Sequence, residues 1–216
     1  MESNSDIRPP RIMDLGDGSY YYNYNIREEY IEQGDGTQMK GYKYDYVHIW
    51  NKPTLEAIIS VSGNNSADFK ADAYKALVEG NYAPFDLGLV KQIRIEQLNE
   101  YDKSSEVNGF IFSGQTMWID KLTRIPLLTT LAILEGTGEV ETELWTEGLP
   151  PVAVPLEIAT LKKMLYAIEI YAKLCLDVTK SHASAIFALK TEASVWAYNF
   201  IKNYPPKLNF DEMAGS

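Results

Sequence analysis

The run Ser19–Glu29, SYYYNYNIREE, followed by Gly41–Trp50, GYKYDYVHIW, decides how the N-terminal half folds. Tyr20, Tyr22, Tyr24 and Ile26 alternate with polar residues in the first run. Successive side chains of a strand point to opposite faces, so a period of two reads as a strand. In the second run Tyr42, Tyr44, Tyr46, His48 and Trp50 share one face, and Val47 and Ile49 the other. Gly34-Asp35-Gly36 supplies a turn between them, which predicts an antiparallel hairpin. An isolated hairpin is marginal in water, so this one needs a partner surface.

Pro53 fits the first turn of a helix through Thr54–Val61, broken by Gly63-Asn64-Asn65. Ser66 is a candidate N-cap for a second helix through Val78, ended by Gly80. Within residues 85–103, Leu87, Val90, Ile93, Ile95 and Leu98 stand at helical spacing among charges, predicting an amphipathic connecting helix. Asp102-Lys103-Ser104-Ser105 is the expected domain boundary. Upstream of the hairpin, residues 1–18 are polar with Pro9-Pro10. They read as a flexible leader, or as an arm that orders only against a neighbour, with Ile7, Ile12, Met13 and Leu15 to bury.

The C-terminal half repeats the order of strands then helices. Val107–Phe112 and Gln115–Ile119 are expected strands turning at Ser113-Gly114. Asp120 is the expected cap of a helix to about Leu134; Pro126 implies a later start or a kink, and Gly136 and Gly138 end it. Glu141–Thr146 and Val152–Val154 are candidate strands around Glu147-Gly148. A long helix follows from Leu156 to about Leu176, with Ile158, Leu161, Leu165, Ile168 and Ala172 on one face. Thr179 is expected to cap a further helix through Leu189, and Thr191 a last one through Phe200, stopped by Pro205-Pro206. Without regular βαβ alternation the fold class is α+β, in two small α+β units. The expected organisation is a leader or arm (1–18), a hairpin-plus-helices unit (19–80), a connecting helix (81–105), a C-terminal domain of short strands with three to four helices (106–210) and a tail (211–216).

Composition narrows the function classes. The chain has 216 residues and a net charge of −10, with 20 Lys+Arg against 30 Asp+Glu and no local basic cluster. Such a chain repels phosphate backbones, which argues against direct nucleic-acid binding. The N-terminus MESNSDIRPP has no apolar signal core, and no stretch approaches the ~18 apolar residues of a membrane span. The lone Cys175 cannot form an internal disulfide and sits between Leu174 and Leu176 in a helical pattern, which predicts a buried, inert thiol. These features fit a soluble protein made in a reducing cytoplasm. Fifteen tyrosines suit sheet faces and interfaces, since the ring packs while its tip stays polar.

No reactive constellation emerges. His48 and His182 are far apart and lack Cys or carboxylate partners at ligand spacing. No phosphate loop and no Gly-x-Ser-x-Gly elbow is present. Asp14, Asp17, Glu32 and Asp35 lack the twelve-residue calcium-loop spacing and read as turn formers. Asp120, Lys121 and Arg124 form a compact charged group: structurally a cap with an ion pair, functionally a grip on an acidic partner. Trp118 and Trp145 follow apolar alternation and are expected in the core; Trp50 and Trp196 are open. No catalytic, cofactor-binding or metal-ligating residue is assigned, and no cofactor is expected.

The run FIFSGQTMWIDKLTR, then LLTTLAI, ETELW, LYAIEIYAKLCLDVTKSHASAIFAL and AYNFIKNYPPKLNF, resembles an uncharacterised domain family of tailed bacteriophages and prophages, especially those of Bacteroides and related gut bacteria. The resemblance covers about half of the chain. It rests on Trp118, Asp120 and Arg124, Leu144-Trp145, the Glu169, Tyr171, Ala172 helix face, Val178-Thr179, Ala185-Ile186, Tyr198 and Tyr204-Pro205. The N-terminal half looks like the segment that often precedes this domain in such phage proteins. The resemblance carries no catalytic residues. It implies a virion component made in the bacterial host cytoplasm: a head–tail connector or tail ring or adaptor, present in multiple copies and bound to other phage structural proteins. The alternatives are a non-virion tail-assembly chaperone and, remotely, an enzyme with an unrecognised site. The residues expected to make partner contacts are Ile7, Ile12, Tyr20, Tyr22, Tyr24, Tyr44 and Trp50.

Overall fold

The computed structural model describes residues 2–32, 36–118, 121–146 and 150–213, without the side chains of 121–123, 212 and 213. The fold is α+β and divides into two units, Met1–Arg94 and Ile95–Ser216. The division falls inside the connecting helix α3 (Leu87–Lys103) instead of at Asp102–Ser105.

In the first unit β3 (Tyr20–Glu32) and β4 (Gln38–Ile49) form the expected antiparallel hairpin. Its inner face turns Tyr22, Val47 and Ile49 onto Ile58 of α1 (Leu55–Ser62) and onto Phe69, Ala73, Ala76 and Leu77 of α2 (Ala67–Glu79). Both helices begin at capping hydroxyls: Ala57 N donates to Thr54 Oγ1 (3.1 Å) and Phe69 N to Ser66 Oγ (3.3 Å). Pro53 precedes the Thr54 cap and so lies just outside the helix, a correction to its expected first-turn position. Tyr22 is wholly buried, and its hydroxyl donates to Asp72 Oδ2 at 2.6 Å.

Residues 2–18 do not wait for a neighbour to order. β1 (Glu2–Ser5) pairs with β4 and β2 (Ile12–Asp14) with β3, giving the four-stranded order β1-β4-β3-β2. Arg11 fastens this segment to α2 by donating to the Asp72 carbonyl and carboxylate, each at 2.6 Å. Asn23 Nδ2 donates to Pro10 O at 2.7 Å. Edge strands leave backbone groups unpaired, and the leader's own backbone fills those of the hairpin.

The hairpin alternation is interrupted once. Tyr24 faces Asp45 but Arg27 faces Lys43, so β3 carries one extra residue, with Asn25 at φ 51°. Beyond this bulge the ladder continues to Glu32↔Gln38, yet no β3 side chain there is buried. Ion pairs line this distal stretch: Arg27–Glu29 (2.6 Å), Lys40–Glu28 (2.7 Å) and Lys43–Glu29 (3.2 Å). Of the expected Gly34-Asp35-Gly36 turn, Gly34 and Asp35 lie outside the described residues, and Gly36 has φ 82°.

The second unit opens with a short helix α4 (Ser105–Asn108), then β5 (Gly109–Phe112) and β6 (Gln115–Trp118), joined by Ser113 and Gly114 at positive φ. β9 (Leu208–Asn209) adds to β5 in parallel, giving the order β6-β5-β9. α5 (Lys121–Thr137) packs on α6 (Ile158–Ala188), and β7 (Glu141–Trp145) pairs with β8 (Ala153–Glu157). Pro126 is accommodated within α5, and Gly138 at φ 79° follows its end. The expected cap Asp120 and the turn Glu147-Gly148 lie outside the described residues. Phe110, Met117, Leu131, Leu144, Leu156, Leu161, Leu165, Ile168 and Phe210 form the core.

α6 is one helix of 31 residues, not two. Thr179, expected to cap a second helix, is buried within it; its single hydroxyl proton is shared between Asp102 Oδ1 (2.6 Å) and the Cys175 carbonyl (3.0 Å). A threonine hydroxyl bonds back one turn as readily as it caps, and here the helix continues. α7 (Glu192–Ala197) starts at the expected Thr191 cap and ends before Phe200. The expected tail is partly structured: α8 spans Phe210–Met213, and Asp211 accepts from Ser113 N (2.6 Å) and Gly114 N (2.7 Å).

Candidate functional site

The second unit carries a groove of about 750 Å³, lined from α3, α4, β6, α5 and α6. Arg124 lies in its wall, only 7% exposed, with Nε 3.1 Å from Glu169 Oε1. That contact is an ion pair without hydrogen-bond alignment, since Arg124 Nε has no aligned acceptor among the described residues. Trp118, Glu169, Tyr171 and Ala172 line the same groove. The expected ion pair of Arg124 is made, among the described residues, with Glu169 from α6, while Asp120 of the same charged group lies outside the described residues.

The polar groups of the second unit that could do chemistry are committed to structure. Cys175 is buried, and burial pushes its thiol upward, which keeps it protonated and unreactive. Burial likewise raises Tyr171 and Tyr204. Thr179 joins Asp102 to the Tyr204 hydroxyl (2.7 Å). His182 is buried, with Nε2 2.8 Å from the Lys202 carbonyl and Nδ1 2.8 Å from the Tyr198 hydroxyl. A carbonyl only accepts, so Nε2 carries the proton and Nδ1 accepts from Tyr198. Both ring nitrogens are occupied, leaving neither for a substrate or metal.

His48, in the first unit, belongs to a short chain. Ser19 Oγ donates to Asp17 Oδ1 at 2.6 Å, and His48 Nε2 lies 3.0 Å from Ser19 Oγ. The hydroxyl proton is spent on the carboxylate, so the imidazole donates. A hydrolytic triad needs the histidine between carboxylate and hydroxyl; here the serine is in the middle. The Ser19 hydroxyl and amide hold the Asp17 carboxyl below its ordinary 3.8.

Next to this chain runs an aromatic row on the outer face of the sheet. Tyr46 and Tyr21 have centroids 4.8 Å apart, Tyr21 and His48 5.0 Å, and His48 and Trp50 4.1 Å. Trp50 is 71% exposed. Of the expected contact residues, Ile7 and Trp50 are exposed and Tyr44 is half-buried. Tyr22 is in the core, and Ile12, Tyr20 and Tyr24 pack against it, which corrects their assignment to a partner surface. Alternation alone had placed them on one face, and that face is the inner one.

The converse correction applies to Trp118 and Trp145. Met117 and Leu144 take the buried positions of their strands, leaving Trp118 partly exposed and Trp145 61% exposed. The sequence reading also missed a row on α6, where Tyr166, Ile170 and Leu174 are all at least half exposed. Their four-residue spacing was visible opposite the predicted buried face. Glu135, Glu139, Glu141 and Glu157 line a second cavity of about 530 Å³. Among the described residues no cluster of His, Cys, Asp or Glu could hold a metal ion, and no helix is long and apolar enough to cross a membrane. No protein-family model, characterised protein or solved structure matches the chain.

Proposed function

We propose that the chain is a structural subunit of a tailed-bacteriophage virion, a multi-copy ring or adaptor at the head–tail connector or tail, bound to other virion proteins. The observation that carries this reading is its exposed apolar surface. Trp50 and Ile7 in one unit, and Trp145, Val152, Tyr166, Ile170 and Leu174 in the other, stand in solvent. Tyr166, Ile170 and Leu174 stand in one row on α6 and Trp50 ends an aromatic row on the sheet, and contiguous apolar patches mark surfaces that associate. The convergence of Trp118, Arg124, Glu169, Tyr171 and Ala172 on one groove adds support, because the resemblance rests on these residues. The groups that would run acid–base or nucleophilic chemistry, His48, His182 and Cys175, are engaged in structural contacts.

Mass spectrometry of gradient-purified particles tests the proposal. A virion subunit is recovered in a fixed multiple relative to the portal protein. Presence in infected-cell lysate but absence from mature particles would overturn the virion role in favour of an assembly chaperone.

A further inference from the structure

We infer that the outer face of α6 is a two-fold interface on which a second copy of this chain docks antiparallel, centred on Ile170. α6 has 31 residues, about 46 Å at 1.5 Å per residue. Its buried face is Ile158, Leu161, Leu165, Ile168, Tyr171, Cys175, Thr179, His182 and Ile186, and the opposite side is open. On that side Lys163, Tyr166, Ile170, Leu174 and Asp177 follow one another at intervals of three, four, four and three residues. At 100° per residue all five fall within about 40° of the Ile170 direction, so they form one straight row.

The row is palindromic in chemistry as well as in spacing. Rotation by 180° about an axis through Ile170 sets Ile170 against its own counterpart. It sets Tyr166 against Leu174 twice, and Lys163 against Asp177 twice. A two-fold interface requires such self-complementarity, because each contact occurs in both directions. The parallel alternative places Lys163 on Lys163 and Asp177 on Asp177, a like-charge arrangement that selects against it. The intrahelical Lys173–Asp177 pair is exposed on both sides, so it competes only weakly for Asp177. Ile170 is 66% exposed, with Tyr166 and Leu174 at 53% and 50%, so the apolar centre lacks cover in the single chain.

The contact is one helix face, smaller than the roughly 800 Å² per partner of a standard interface, so the dimer is expected in the micromolar range. The inference shares with the virion reading only the premise that copies of the chain meet. Loss of this dimer and absence from purified particles are therefore separate outcomes.

Sedimentation equilibrium of the full chain, from about 1 µM to several hundred micromolar, is the test. A reversible dimer is expected. Ile170→Asp should weaken it at least tenfold, Lys163→Glu and Asp177→Lys should each weaken it, and the double reversal should restore it. Circular dichroism confirms that these exposed substitutions leave the fold intact. Ile170→Cys should form an oxidised dimer readily, whereas Ser184→Cys, off the axis, should not; buried Cys175 stays silent. A chain that is monomeric throughout, a dimer indifferent to Ile170→Asp, or failure of the double reversal to recover association would each overturn the interface.

Discussion

Removing the Glu169 carboxylate leaves the buried Arg124 guanidinium without its ion-pair partner. An unpaired buried charge is costly, whereas replacing both members by uncharged groups of similar size is often close to neutral. Glu169 is itself about half exposed, so solvent takes over part of its role. Glu169→Gln should therefore lower unfolding stability by about 1 kcal/mol, and adding Arg124→Met should recover part of that loss instead of deepening it. Urea denaturation of the two singles and the double reads the coupling. Additive losses would mean that the pair does not act as a unit. Asp17 acts through a different physical term. Its folded carboxyl is held below the ordinary 3.8 by the Ser19 hydroxyl and amide. Its contribution is complete above the ordinary value and is lost as pH falls through the lowered folded value. Asp17→Asn should melt below the parent chain near neutrality and converge with it as pH falls below the ordinary carboxyl value of 3.8 and through the lowered folded one. Thermal melts across that range check the sign.

At the scale of elements, the β3 bulge is the feature most open to manipulation. Asn25 sits at φ 51°, which asparagine tolerates and β-branched residues resist. Asn25→Gly should be close to neutral, while Asn25→Val should cost about 1–2 kcal/mol or push β3 back into straight register. Thermal melting gives the cost, and amide exchange across residues 26–32 reports the register. Local signals predicted most of the elements. The caps Thr54, Ser66 and Thr191, and the alternation of Tyr20, Tyr22 and Tyr24, depend on neighbours within a turn or a strand. What the sequence reading missed depends on distant partners. Thr179 continues α6 while bonded to Asp102, 77 residues away. β9 exists because Leu208 finds Phe110, and Asp211 binds the turn at Ser113. Alternation fixes the period at Trp118 and Trp145 but not which face is buried, because what covers a strand cannot be read from the strand. Arg124 was legible as a charged group of interest, whereas its convergence with Glu169 and Tyr171 needed the packing of α5 on α6.

Across the whole molecule, the first unit depends on chain that composition alone assigns to a loose leader. β1 and β2 close the two edges of the hairpin, Arg11 binds Asp72, and Asn23 is covered by the Pro10 carbonyl. Deleting residues 2–14 removes all of these contacts and leaves Asp72 with only the Tyr22 hydroxyl among the contacts described for it. The exposed ladder edges then offer backbone groups to other chains. An unanchored leader would detach without thermal consequence, and its loss would be felt only on assembly. The structure leads to the opposite expectation: the truncated chain should unfold the first unit several degrees lower and aggregate more readily. Hydrogen exchange with peptide resolution separates this local effect from general damage. Amides of Tyr20–Glu32 and Gln38–Ile49 should lose protection, while those of Leu161–Ile186 in α6 keep theirs. Unchanged protection in the hairpin would show that β1 and β2 add nothing to its stability, and would return residues 1–18 to the role of an assembly arm.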